Sequence, residues 1–192
     1  MSETPPVARK RSDARRNERT LLDAAAAVFA VSGVDAPVRD IAARAGVGVG
    51  TIYRHFPTRP ALVVAVYRHQ IEACAEAGPA LLEECATAED ALRRWVDLFV
   101  DFLVTKHGLA GALQGGDEDA GALHALFVET LVPVCGSLLS ATVAEAHPEA
   151  PEHDPYVFLK AIGNLCIGAA GDPAYDERAA VSWLISGALA GG

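Results

Sequence analysis

The sequence predicts an all-α fold of about nine helices: an N-terminal three-helix helix-turn-helix unit followed by a larger helical body. Three observations carry this. Hydrophobic residues make up 51% of the 192 positions, with much Ala, Leu and Val and only 6% aromatics, a composition suited to packed helices. Apolar residues recur at i, i+3, i+4 and i+7, and glycines and prolines fall near the ends of those runs. The stretch Val38–Phe56, VRDIAARAGVGVGTIYRHF, reads as two short helices around a glycine turn.

Residues 1–12 hold a proline pair and dense charge and are expected to form a disordered basic tail. Residues 13–60 should form the helix-turn-helix unit and residues 61–192 the body. The first helix is expected from about Asp13 to Ser32, with Leu21, Leu22, Ala25, Val28 and Phe29 as its inner stripe and Gly33 at its end. Pro37 suits the first turn of the second helix, where a missing N–H costs nothing. Val38, Ile41, Ala42 and Ala45 make that helix's buried stripe. Gly46 follows where it must end, because glycine takes the left-handed conformation without steric cost. Val47 plugs the turn and Gly48 is a tolerable N-cap for the third helix. There Ile52 and Phe56 face inward at i, i+4, leaving Gly50, Thr51, Tyr53, Arg54 and His55 outside, until Pro57 stops the helix. This pattern fits both an ordinary αα-hairpin and a DNA-reading unit whose second helix enters the major groove.

The surrounding sequence separates the two. LLDAAAAVFA, IAARAGV and GTIYRHFPTRPAL occur in an order and at separations that resemble the DNA-binding segment of the tetracycline-repressor (TetR) family of bacterial transcription regulators. The resemblance covers about the first third of the chain. It implies a DNA-binding surface made of Arg39, Gly48, Val49, Gly50, Thr51, Tyr53, Arg54, His55, Thr58 and Arg59. Thr51 and Arg54 are expected to read base edges, with Tyr53 and His55 on phosphates or packed at the helix edge. Thr58 is a natural N-cap, and Arg59 matches the family's basic phosphate-binding position. Two departures stand out. Ala36 and Pro37 replace a common Thr/Ser pair, so Arg39 could supply the charge there. Gly48 and Val49 replace a common Ser-Lys pair; Val49 cannot hydrogen-bond but could pack on a thymine methyl. Arg9, Lys10, Arg11, Arg15, Arg16 and Arg19 either reach phosphates or a minor groove or form a solvated tail.

Helix four is expected from Thr58 to about Gly78-Pro79, with Val63, Val66, Tyr67, Gln70, Ile71 and Cys74 at helical period. Thr87-Ala88-Glu89-Asp90 resembles a capping box with Asp for Glu. It opens a helix striped with Leu92, Trp95, Val96, Phe99, Phe102 and Leu103 and ended by Gly108. Residues 109–121, rich in glycine and acid, should hold a short, mobile helix between loops. Residues 122–146 are expected as a long apolar helix that Pro133 kinks or splits. By the family resemblance this region encloses a small-molecule pocket. Trp95, Phe99, Phe102, His107, His124 and Phe127 are its candidate lining, with Gln114 and Asn164 as further polar groups. The last two helices, about Pro155–Ala170 and Asp176–Ala190, are charge-free over 161–171 and 179–192, so they must be buried on more than one side. Either they form a core hairpin or, as the resemblance implies, they pair with a second copy in a four-helix bundle through Ile162, Leu165, Cys166, Val181, Leu184 and Ile185.

Residues 1–60 carry ten Lys/Arg against six Asp/Glu, while residues 61–192 are strongly acidic and bring the whole to −9. A basic head on an acidic body suggests that only the head meets a polyanion. Cys74, Cys85, Cys135 and Cys166 lack metal-ligand spacing, so buried free thiols are expected and no metal or cofactor. No apolar run approaches the ~20 residues of a membrane span and no signal-peptide core opens the chain, so the expectation is a cytoplasmic protein, nucleoid-associated through its operator, with no membrane partner. The function expected is a homodimeric repressor on double-stranded DNA with a palindromic operator, released by an unknown small-molecule effector. The competing readings are an HTH activator or a regulator controlled by a protein partner. An enzyme is not expected, since GxSxG, phosphate-binding glycine loops and metal spacings are all missing from the sequence.

Overall fold

Among the residues that the computed structural model describes, 6–105, 117–146, 152–167 and 174–190, eight helices carry nearly the whole chain. They are α1 (Pro6–Ser32), α2 (Val38–Ala45), α3 (Val49–His55), α4 (Arg59–Glu84), α5 (Ala88–Thr105), α6 (Asp117–Ala146), α7 (Pro155–Ile167) and α8 (Glu177–Leu189). Helices α1–α3 form the head. Helix α4 starts there and runs into the body, where it packs on α5 and α6. Helices α7 and α8 close the far side against α5 and α6 or each other.

Side-chain caps fix several of these starts. Thr58 Oγ1 accepts from Ala61 N at 3.2 Å, Thr87 Oγ1 from Asp90 N at 3.1 Å, and Asp176 Oδ1 from Ala179 N at 2.9 Å. Asp154 does the same for α7, with Pro155 behind it in the first turn, where proline is tolerated.

Four features differ from the sequence expectation. Helix α1 begins at Pro6, taking in residues 6–12 of the expected disordered tail; the Ala, Arg and Lys there have high helix propensity. Residues 1–5 lie outside the described residues. Helix α4 runs through Pro79 to Glu84 instead of ending at Gly78-Pro79. Pro79 is exposed at the surface, while Leu81 beyond it is buried. The neighbouring helix explains the rest: a Cβ on Gly78 would lie 2.3 Å from Val134 Cγ1, so glycine lets α4 and α6 touch. Pro133 does not split α6, which is one continuous helix through it, and Ser137 Oγ donates to its carbonyl at 3.1 Å. Finally, the 26 residues Ala120–Glu145 are long and apolar enough to cross a membrane, contrary to the reading that no such stretch exists. Here that helix packs on α4, α5 and α7. The segment expected around 109–121 falls mostly outside the described residues.

The body's centre is Trp95, fully buried, with Nε1 donating to the Cys74 carbonyl at 2.8 Å. Arg178 on α8 binds Asp97 and Asp101 on α5, and Arg93 on α5 donates to Ser186 on α8, so polar pairs tie the last helix to the core.

Candidate nucleic-acid interface

The turn between α2 and α3 follows from one residue. Gly46 sits at φ 67°, its N–H reaching Ala43 O at 3.3 Å, while Val47 N reaches Ala42 O at 3.0 Å. This paired pattern terminates a helix and turns the chain sharply. Gly48 then opens α3 with its carbonyl taking Thr51 N at 2.8 Å. Ile52 and Phe56 are buried in the head's core with Ile41, Ala42, Leu22 and Phe29. Anchoring one side fixes the other: Gly48, Val49, Gly50, Tyr53, Arg54 and His55 are exposed, and Thr51 is half-buried. Arg39 is exposed on α2, with Nε 3.5 Å from Asp40, which offsets part of its charge. Of the ten residues expected at the surface, eight are exposed and Thr51 is half-buried.

Arg59 is the exception. Its Nε donates to Val34 O at 2.8 Å, Nη2 reaches the carbonyls of Val34 and Ala36, and Cζ lies 6.0 Å from the centroid of the Phe29 ring. The guanidinium is engaged by backbone, not presented as a phosphate ligand. It pins α4 to the loop between α1 and α2. Arg19 is likewise paired, with Glu76 at 3.2 Å, well along α4 from the recognition helix. Of the other tail cations, Arg16 is exposed; the side chains of Arg9, Lys10, Arg11 and Arg15 lie outside the described residues.

The aromatic residues expected to line a pocket do come together. Phe99 stands 6.0 Å from Trp95, 6.1 Å from Phe102 and 5.9 Å from Phe127 between ring centroids, with Tyr67 edge-on to Phe102. These separations are those of touching rings. Trp95, Phe99 and Phe102 are buried, Phe127 is half-buried, and His124 stacks on Phe127 while remaining exposed. Asn164 is exposed on α7, and His107 and Gln114 lie outside the described residues. A separate open cleft of about 360 Å³ lies between α1, α4 and α5, walled by Ala26, Ala30 and Ala73 and rimmed by Asp101 and the Asp23–His69 pair.

On the last two helices the structure redistributes the expected interface. Ile162, Cys166, Val181 and Ile185 point into the chain's own core, while Leu165 and Leu184 are half-buried. The outer faces carry Val157, 61% exposed, and Trp183, 76% exposed, neither of which the sequence singled out. Trp183 could have been noticed as an aromatic inside a charge-free helix.

Comparisons with known proteins agree with this architecture. Residues 21–66 match the family described as bacterial regulatory proteins, tetR family. A TetR transcriptional regulator from Streptomyces coelicolor is 32% identical, with a TM-score of 0.71 over 88% of this chain and 94% of that one. A TetR transcription regulatory protein from Mycobacterium vanbaalenii is 29% identical, with a TM-score of 0.69 over 93% and 98%. The TetR-like regulator LfrR from Mycobacterium smegmatis, solved with proflavine, shares the fold at 23% identity, with a TM-score of 0.62 over 92% and 98%. No curated protein matches the chain.

Proposed function

The chain belongs to the TetR family of transcriptional regulators, and from that premise we propose that it acts as a homodimeric repressor, released from a palindromic operator by a small molecule bound in the helical body. It is a DNA-binding regulator and not an enzyme. The observation that carries the DNA reading is α3 itself, held to the head's core by Ile52 and Phe56 while Val49, Tyr53, Arg54 and His55 stand exposed around it. Two such helices, one per protomer, would enter successive major grooves about one helical turn, ~34–36 Å, apart. Arg54 is the residue best suited to base edges, because its planar fork can pair with guanine in two hydrogen bonds.

Support for a dimer comes from the exposed Val157 and Trp183, large apolar groups on helices that carry few charges. Release follows if the effector binds more tightly to a conformation whose heads no longer match the groove spacing. That a same-fold regulator was solved with proflavine supports a small-molecule effector. The touching rings of Trp95, Phe99 and Phe127 favour a second reading, a regulator with no small molecule in this region.

Two measurements test these readings. A duplex enriched from a random pool by the protein should lose about 1–3 kcal/mol of affinity with Arg54→Ala, and preference should relax at one base pair. Equal losses on operator and random DNA would take base reading away from Arg54. For the effector, Trp183→Phe leaves Trp95 as the sole tryptophan, since the chain has two. Its emission should respond to a compound that also releases the duplex. Release with an unchanged Trp95 signal would move the site elsewhere.

A further inference from the structure

Val49 stands between two glycines that the chain itself does not need. Gly46 must be glycine because its φ is 67°. Gly78 must be small because Val134 occupies the space its Cβ would fill. Neither reason holds at 48 or 50. Gly48 has φ −75° and ψ 146°, open to any residue. A Cβ built at either position meets nothing of the chain within 4 Å. Both glycines also carry a penalty. A glycine within a helix is less stable than alanine, and Gly48 forgoes the side-chain cap that Ser, Thr, Asp or Asn would make. Their placement is explained by something outside the chain that must come close to this backbone.

The side chain they frame is equally specific. Val49 is the first residue of α3 and is 39% exposed, so part of its surface is open to solvent at the turn from which recognition helices contact base edges. The trio Gly48-Val49-Gly50 offers no side-chain donor or acceptor, so it cannot read the hydrogen-bonding pattern of a base. The one apolar group on a base edge in the major groove is the 5-methyl of thymine.

We propose that Val49 selects a thymine in each operator half-site through that methyl group, with Gly48 and Gly50 allowing the helix to approach closely enough for contact. The inference rests on the DNA-binding reading above and adds a base that Arg54 does not specify.

The test uses the full-length protein and duplexes enriched by it from a random pool. Each thymine of the enriched site is replaced in turn by deoxyuridine, which removes the methyl and leaves pairing intact. One thymine per half-site should then lose roughly fourfold in affinity, the value of one buried methyl. Val49→Ala should bind the thymine and deoxyuridine sites alike. Cytosine at that position should weaken wild-type binding, and 5-methylcytosine should recover part of the loss. Gly50→Ala should weaken operator binding while thermal stability stays level or rises, a combination that a structural role for the glycine would not give. A wild-type protein indifferent to every deoxyuridine, or a Val49→Ala protein that keeps the discrimination, overturns the inference while leaving DNA binding standing. Failure of any sequence to enrich overturns the DNA-binding reading and this inference together.

Discussion

Arg59 bridges α4 to the loop between α1 and α2 through backbone carbonyls. Its hydrogen bonds go to the carbonyls of Val34 and Ala36, two buried positions. Arg59→Ala leaves those carbonyls short of a charged partner, which costs about 1.5–3 kcal/mol. Thermal unfolding should therefore shift down by several degrees, whereas the salt dependence of DNA binding by the remaining folded protein should keep its slope. A flattened slope with unchanged stability would return Arg59 to the phosphates. Cys74 and Cys135 make a second residue-scale prediction. Burial pushes both thiols up to about 12, with the nearby Cys74 charge adding to the effect at Cys135. The folded state thus keeps protons that the unfolded chain releases near pH 9, so their contribution is intact below pH 9 and is lost as pH rises toward 12. Denaturant titrations should show stability falling by about 1.4 kcal/mol per pH unit for each thiol across that window. Replacing both with alanine should flatten the slope between pH 9 and 10, whatever it does to stability at neutral pH.

At the scale of elements, the crossing of α4 over α6 at Gly78 and Val134 sets how the helix from the head meets the body. Gly78→Ala brings two opposed effects. Alanine gains up to about 1 kcal/mol of helix propensity, but its Cβ would sit 2.3 Å from Val134 Cγ1 with the Trp95 indole 3.5 Å away on another side. Overpacking of that kind costs about 1–3 kcal/mol, so the variant should be net destabilised. Val134→Ala in the same chain should recover part of the loss, and a simple sum of the two single effects would show that no contact couples them. This crossing also shows what the sequence can and cannot convey. Gly46, Thr87 and Asp176 act through hydrogen bonds to residues three or four positions away, so their helix ends were legible. Pro79 and Pro133 suggested breaks because a local rule says so, yet the helices continue on the strength of Leu81, Gly78 and Val134, contacts that no short window contains. The outward face of α3 was legible for the same local reason that Ile52 and Phe56 lie one turn apart. Arg59 was not, because sequence shows its charge but not the Val34 and Ala36 carbonyls. In α7 and α8 no polar face marks the outside, so Ile162 and Trp183 looked equivalent until the packing separated them.

The whole molecule brings a basic head, an acidic body and two exposed apolar side chains, Val157 and Trp183, on its last two helices into one chain. That last feature separates assembly from folding. Ile162 is buried in its own chain, so Ile162→Glu should unfold the protein by burying an unpaired charge. Trp183 is 76% exposed, so Trp183→Glu should leave the fold intact and give folded monomers on sedimentation if this face pairs two copies. A folded Trp183→Glu dimer would shift the contact to another face. The central claim, a two-fold regulator reading a palindrome, is tested most directly by sedimentation velocity of the wild-type protein titrated onto its enriched duplex. The account predicts two chains per duplex and inverted half-sites about one helical turn apart, with the Trp183→Glu protein unable to form that complex at the same concentration. A saturating complex of one chain on one half-site, formed equally well by the Trp183→Glu protein, would contradict it.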